Sequence, residues 1–171
     1  LLGPRKVEED LRVRRPAVGV TTGLAWTSAG GSLLPIEALS MPGVGRMTLT
    51  GSLGDVLRES VQTAVSYVRT FCSYLGLESD ALDNIDLHLH LPSAGTPKDG
   101  PSAGVAIAVA LVSLLTKEPA RHDLAMTGEM SLMGQVIGVG GIREKLLAAI
   151  RAGVPEVILP RRNAEDCLRL D

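Results

Sequence analysis

The sequence predicts an α+β fold, one compact domain of short mixed strands packed with a few helices. Two observations carry that prediction. Hairpin-like strands and amphipathic helices occupy separate stretches, without the regular alternation of a doubly wound sheet. The chain is 45% apolar yet only 2% aromatic, so its core is aliphatic, built from Val, Leu, Ile and Ala. A length of 171 residues suits one domain with a substantial core.

Residues 1–16 are charged and unpatterned and read as a linker or the end of a preceding domain, leaving 17–171 as the domain itself. Residues 17–27 and 32–39 are apolar, β-branched runs between Gly clusters, read as two strands joined by a turn at Ala29-Gly30-Gly31. A short strand is expected over 46–50. Ser52 then opens a long helix, with Asp55 three residues on in a capping-box-like arrangement. Leu53, Val56, Leu57, Val61, Ala64, Val65, Val68, Phe71, Cys72 and Leu75 follow the helical period, and Gly76 closes it. Over 85–91 the pattern becomes strict alternation: Ile85, Leu87, Leu89 and Leu91 face one way, and Asp86, His88 and His90 the other. That is a half-buried strand. An almost uniformly apolar helix follows over 102–116, and short strands are expected over 124–127, 135–139 and 156–159. A helix over 142–152, closed by Gly153, separates the last two.

Charge and cysteine content narrow the function. A net charge of −2 leaves no basic excess to neutralise phosphates, so nucleic acid is not expected to bind through this domain. Arg12, Arg14 and Arg15 read as a solvated or domain-contacting cluster. Cys72 and Cys167 have no metal-like spacing and no disulfide framework, which fits a reducing, intracellular setting. No signal peptide is evident, and the longest apolar run, 103–115, is too short to span a bilayer.

Residues 97–104 read Pro-Lys-Asp-Gly-Pro-Ser-Ala-Gly and run directly into the apolar helix. Ser102 is thereby delivered to a helix start, where free N–H groups and the positive end of the macrodipole can hold developing negative charge. A phosphate-cradling turn would look similar, but the Gly-Lys-Ser/Thr of a Walker loop is absent. A serine also needs a base. His88, His90 and His122 are candidates, because triad members meet in space and not in sequence. His88 and His90 could equally be a surface pair, and no third metal ligand is supplied beside them. Lys145 is the other candidate. On the 142–152 helix, Glu144 and Arg151 share the polar face, while Lys145 falls about 100° or more from both, among Ala148, Ala149 and Ala152. It is either a snorkelling lysine or a desolvated amine whose lowered pKa suits a general base.

These residues resemble the proteolytic domain of Lon proteases. The resemblance is carried by 97–104, by Thr127-Gly128-Glu129, by Gly140-Gly141-Ile142-Arg143-Glu144-Lys145 and by Arg151-Ala152-Gly153. Gly23-Leu24-Ala25-Trp26-Thr27, Gly30-Gly31, Ile36-Glu37 and Gly51-Ser52-Leu53-Gly54-Asp55-Val56 extend it, from about Val18 to Asn163. The Pro-Lys-Asp-Gly-Pro-Ser-Ala-Gly form is similar to the branch fused to an AAA+ ATPase.

The resemblance implies a Ser-Lys dyad, with Ser102 as nucleophile and Lys145 as base. It places Thr127 beside the lysine and Asp99 beside the serine loop, where it would influence access or charge. Trp26 and Glu37 fall in the substrate-facing part of the family pattern, or else are a packing tryptophan and a solvated glutamate. His88 and His90 match a paired pattern that would line the site without being catalytic. The same resemblance implies an ATP-dependent serine endopeptidase acting on unfolded or damaged proteins, as a homo-hexamer. No cofactor or metal is implied in this domain; ATP and Mg would bind a linked, N-terminal AAA+ ATPase domain. A bacterial member would be cytoplasmic, and a eukaryotic one would lie in the mitochondrial matrix or peroxisome.

Leu132-Met133-Gly134 departs from the family's usual Leu-Arg-Gly, Gly138 stands where proline is common, and Arg143 where lysine is common. Asp171 ends the sequence earlier than the family pattern, so a terminal element is expected to be missing.

Overall fold

Gly19 is the first hinge of the domain. Its φ of 77° lies in the left-handed region, so the opening strand starts after it: β1 spans Val20–Thr27, not 17–27. The computed structural model describes residues 15–27, 30–78, 80–92 and 98–168. The linker reading of 1–16 (apart from 15 and 16), Arg12, Arg14, Ala29 of the expected turn, and Pro97 lie outside the described residues.

β1 pairs antiparallel with β2 (Gly30–Pro42), in a register running from Val20↔Glu37 to Thr27↔Gly30. β3 (Met47–Thr50) and β4 (Ile85–His90) pair with each other in parallel, and β4 runs antiparallel to β2. β5 (Leu124–Met126) and β8 (Glu156–Ile158) complete a six-stranded mixed sheet, ordered β3-β4-β2-β1-β5-β8. A separate hairpin joins β6 (Glu129–Met130) to β7 (Val136–Ile137). The expected strand over 135–139 shrinks to β7, and β6 is a partner the periodicity does not show. The fold class is the expected α+β.

The period-two alternation divides the sheet into two faces. Leu34, Ile36, Leu87, Leu89 and Met126 join one core, which is covered by α1 (Asp55–Phe71) and α2 (Gly104–Thr116). Leu24 and Ala125, the latter next to Met126, turn to the other face and pack with Ala149 and Ala152 at α3 (Ile142–Arg151). α2 is apolar nearly all round because it sits between α1 and the sheet.

The capping box at Ser52 does not form. Ser52 adopts φ 57°, and the backbone of 52–54 is taken by residue 98: Lys98 N–H donates to the Ser52 carbonyl at 3.1 Å, and Gly54 N–H to the Lys98 carbonyl at 2.7 Å. α1 therefore starts at Asp55. Its cap arrives from elsewhere in the chain, as the Asp99 carboxylate accepts the Leu57 N–H at 2.9 Å. The helix ends as expected, with Gly76 left-handed at φ 71° after a tight turn over Cys72–Leu75. At the C-terminal side the turn Arg161–Asn163 leads into α4 (Ala164–Cys167), which the sequence pattern did not signal.

α3 rests on β2 at Gly31, where an added Cβ would lie 2.0 Å from the Glu144 carbonyl oxygen. Only a residue without a side chain permits that approach. Gly31→Ala is expected to cost about 2 kcal/mol through overpacking and to push α3 off the sheet. Chemical denaturation tests this, and an unchanged midpoint would show that α3 tolerates the displacement.

Candidate active site

Ser102 does not lie inside α2. The chain takes a tight turn over Pro101–Ala103, entered through Gly100 at φ 114°, and only then becomes α-helical at Gly104. The serine is held by its main chain. Its carbonyl accepts the Gly128 N–H at 2.9 Å and the Thr127 hydroxyl at 3.1 Å, while Val105 N–H donates to the Gly128 carbonyl at 3.1 Å. These bonds stitch the start of α2 to the end of β5, and leave the Ser102 hydroxyl without a hydrogen bond among the described residues.

Lys145 comes from the second turn of α3. It has no exposed surface and is the largest of the fully buried side chains. It shares the buried side of α3 with Ala148 and Ala149, as the helical projection indicated, but its head does not reach water. The amine instead donates to Thr127 Oγ1 at 3.1 Å. Thr127 itself is buried, and its hydroxyl in turn donates a hydrogen bond to the Ser102 carbonyl. No carboxylate pairs with Lys145 among the described residues. Loss of solvation is thus uncompensated, and burial pulls its pKa down from 10.5 to about 8.

Ser102 and Lys145 line one cavity of about 250 Å³, together with Trp26, Asp99, Glu129 and the backbone of 138–140. Trp26 stands at the end of β1, half exposed. Its indole lies so close to Gly141 that a Cβ there would meet it at 2.3 Å. Gly141, left-handed at φ 68°, is the residue from which α3 starts. A second cavity of about 240 Å³ shares Ser102, Trp26 and Asp99 and is walled by Leu33, Leu34 and Leu57. Asp99 lines both. Its Oδ1 accepts N–H bonds from Leu57 and Gly100, each at 2.9 Å, so it joins the serine turn to the positive end of α1.

The remaining predicted residues lie elsewhere. His88 and His90 project from the polar face of β4, where the Thr50 hydroxyl meets His88 Nε2 at 2.9 Å and His90 Nδ1 at 2.7 Å. Glu37 is exposed on β2, in register with His90. Neither histidine, nor Glu37, nor His122 lines either cavity. Among the described residues no cluster of three or more His, Cys, Asp or Glu side chains could hold a metal ion, and no helix is long and apolar enough to cross a membrane. The sequence names Gly138 and Gly140 as motif positions but not as a wall of the cavity, and it assigns no role to Asn163, whose side chain meets that wall. That side chain finds its partner 24 residues away, which no local pattern reports.

The family model for the Lon protease (S16) C-terminal proteolytic domain matches residues 1–170. The chain belongs to that family. It is 53% identical to a Lon protease of Methylocella silvestris over 97% of this chain, and 55% identical to one from Anaeromyxobacter dehalogenans over 98%. A Lon protease 2 of Myxococcus xanthus is 55% identical, again over 98% of this chain. Each alignment covers 20% of the relative, so the chain spans about a fifth of the length of the Lon proteases it matches.

The burial of Lys145 has a thermodynamic signature. Its folded pKa, about 8, lies below the unfolded value of about 10.4. Between those values the unfolded chain binds more protons, so stability rises with pH across that window and is lower beneath it. Lys145→Met keeps an apolar stem and removes the titrating amine. It is expected to be at least as stable as wild type at neutral pH and to show a smaller alkaline rise. Denaturation at neutral and alkaline pH decides this, and a Met variant clearly weaker at neutral pH would show a charged, paired lysine.

Proposed function

We propose that the chain is the serine endopeptidase domain of an ATP-dependent Lon protease, hydrolysing peptide bonds of unfolded or damaged proteins with Ser102 as nucleophile and Lys145 as general base. The observation that supports this reading most directly is a fully buried lysine, with no carboxylate partner among the described residues, lining the same cavity as a serine on a tight turn. Membership of the proteolytic-domain family agrees with it.

In this mechanism the neutral amine takes the hydroxyl proton as Ser102 Oγ bonds to the scissile carbonyl carbon. The carbonyl electron pair moves onto oxygen, where backbone N–H groups of the serine turn hold it. The protonated lysine gives its proton to the departing amine. Water then attacks the acyl-enzyme, losing a proton to the same base; the bond between the acyl carbon and Ser102 Oγ breaks, the lysine returns that proton to Oγ, and the acid leaves. At a pKa of about 8 the charged lysine still outnumbers the neutral one roughly tenfold at neutral pH. Thr127 orients the amine without transferring the proton. The second cavity, walled by three leucines beside Ser102, suits an apolar substrate side chain.

The rest of the assignment concerns the longer protein. The ATPase domain with its ATP and Mg, the homo-hexameric ring and a bacterial cytoplasmic location are inferred from the Lon proteases of which this chain spans about a fifth.

Ser102→Ala and Lys145→Ala are each expected to lower peptide turnover by roughly a thousandfold or more, and the double variant to be scarcely worse. Substantial turnover by either purified variant would remove that residue from the dyad. In wild type, kcat/KM for a small unstructured peptide is expected to rise with pH through about 8, the folded pKa of Lys145. A profile that instead rises near the ordinary histidine pKa, about 6.5, would point to an imidazole base.

A further inference from the structure

Asn163 is a buried polar side chain, 6% exposed, for which the proposed chemistry has no use. Its amide is spent on one residue of the cavity wall. Oδ1 accepts the Val139 N–H at 2.9 Å, and Nδ2 donates to the Val139 carbonyl, also at 2.9 Å. The second Nδ2 hydrogen goes to Asp166 Oδ2 at 2.7 Å. A single side chain thus satisfies both backbone groups of Val139, as a neighbouring strand would.

The wall needs that support. The β6–β7 ladder ends at Ile137, and α3 begins only after Gly141. Between them Gly138, Val139 and Gly140 line the cavity that holds Ser102 and Lys145. Two of these three residues are glycines, which have the greatest backbone freedom to lose. A Cβ on Gly138 would lie 3.2 Å from Arg162 Cβ and 3.3 Å from Asn163 Oδ1, so the segment is pressed against the turn that carries the asparagine.

We propose that Asn163 is a positioning residue, which through its paired hydrogen bonds to Val139 holds the 138–140 wall at the distance from Ser102 that an extended peptide requires. The inference rests on the reading of Ser102 as nucleophile. Freed from Asn163, the glycine-flanked wall samples other conformations, and a peptide loses its alignment with the serine. A reagent small enough to need only the serine and its base does not lose it.

The test uses the polypeptide that carries this chain, with Asn163→Ala, Asn163→Asp and Asp166→Ala. Three quantities are read: kcat/KM for a fluorogenic peptide, the rate of Ser102 modification by diisopropyl fluorophosphate, and hydrogen exchange at the Val139 amide. Asn163→Ala is expected to lose roughly ten- to a hundred-fold in kcat/KM. Its Val139 amide should exchange faster, and its labelling by the small reagent should stay within about twofold of wild type on the same argument. Asp166→Ala keeps both bonds to Val139 and should turn over peptide nearly as wild type does. Asn163→Asp keeps the acceptor for the Val139 N–H but loses the donor, so it should fall between; it carries the same comparison where the alanine variant fails to fold. Peptide turnover unchanged in Asn163→Ala, or reduced equally in Asp166→Ala, would overturn the proposal. Failure of the reagent to label wild type would instead count against Ser102, and Val139 exchange would still decide whether Asn163 holds the wall.

Discussion

A lysine sealed from water with one hydroxyl for company is unfavourable to bury, and much of the domain is arranged to impose that burial. Desolvating an ammonium without a counter-charge disfavours its charged form. Lys145 is nevertheless held in place, because α3 has nowhere else to go. The helix lies against the bare backbone of Gly31 on β2, and its alanines pack with Leu24 and Ala125 from the sheet. Gly141, the residue just before the helix, lies hard against the Trp26 indole. Aliphatic packing thus supplies the free energy, and the amine's basicity is where part of it is spent.

The serine side is built differently, from backbone bonds instead of packing. Lys98 and Asp99, the two residues before Gly100, each bind a separate part of the fold. The Lys98 amine donates to the carbonyls of Gly51, at 3.1 Å, and Leu91, at 2.5 Å, while its main chain bridges to Leu53. Asp99 caps α1. From Gly100 the chain turns on φ values that only glycine adopts readily, and the Ser102 carbonyl is then fixed by Thr127 and Gly128. Thr127 is the point at which the two halves meet. It receives the lysine amine and donates to the serine's carbonyl, so the relative position of Ser102 and Lys145 passes through one buried hydroxyl.

How much of this the sequence discloses depends on whether the cause is local. Alternation over Ile85–His90 and the helical period of Leu57, Val61, Ala64 and Val68 are repeated local signals, and those elements stand where the periods put them. The start of α1 is not local. It is decided by residue 98 pairing with 52–54, so the capping-box pattern at Ser52 is overruled from a distance. β6 and β7 are two residues each, too short for any periodicity, and form only because they meet. Within the site, Ser102 and Lys145 are readable as motif and helix position, yet helix geometry alone leaves Lys145 equally able to snorkel. Its burial becomes apparent only once α3 is laid on the sheet. The histidine pair shows the converse: His88 and His90 share a face in sequence and in space, yet they meet at Thr50 and line neither cavity at Ser102.

Two desolvated lysines among the described residues, Lys98 and Lys145, show why the partner matters as much as the burial. Lys98 also has its pKa lowered by loss of solvent, but its amine faces two carbonyl oxygens. Carbonyls only accept, and two of them favour the form with the most N–H bonds to give, so Lys98 is suited to stay an ammonium and act as a clamp. Lys145 faces a hydroxyl whose own proton is already committed to Ser102. A neutral amine retains two N–H bonds, enough to keep donating to Thr127 while its lone pair is free for a proton from elsewhere. A carboxylate in Thr127's place would hold the lysine just as firmly, but by favouring the charge it would raise the pKa and work against the proposed role as a base. Threonine holds the amine without charging it, which is what that proposed role requires.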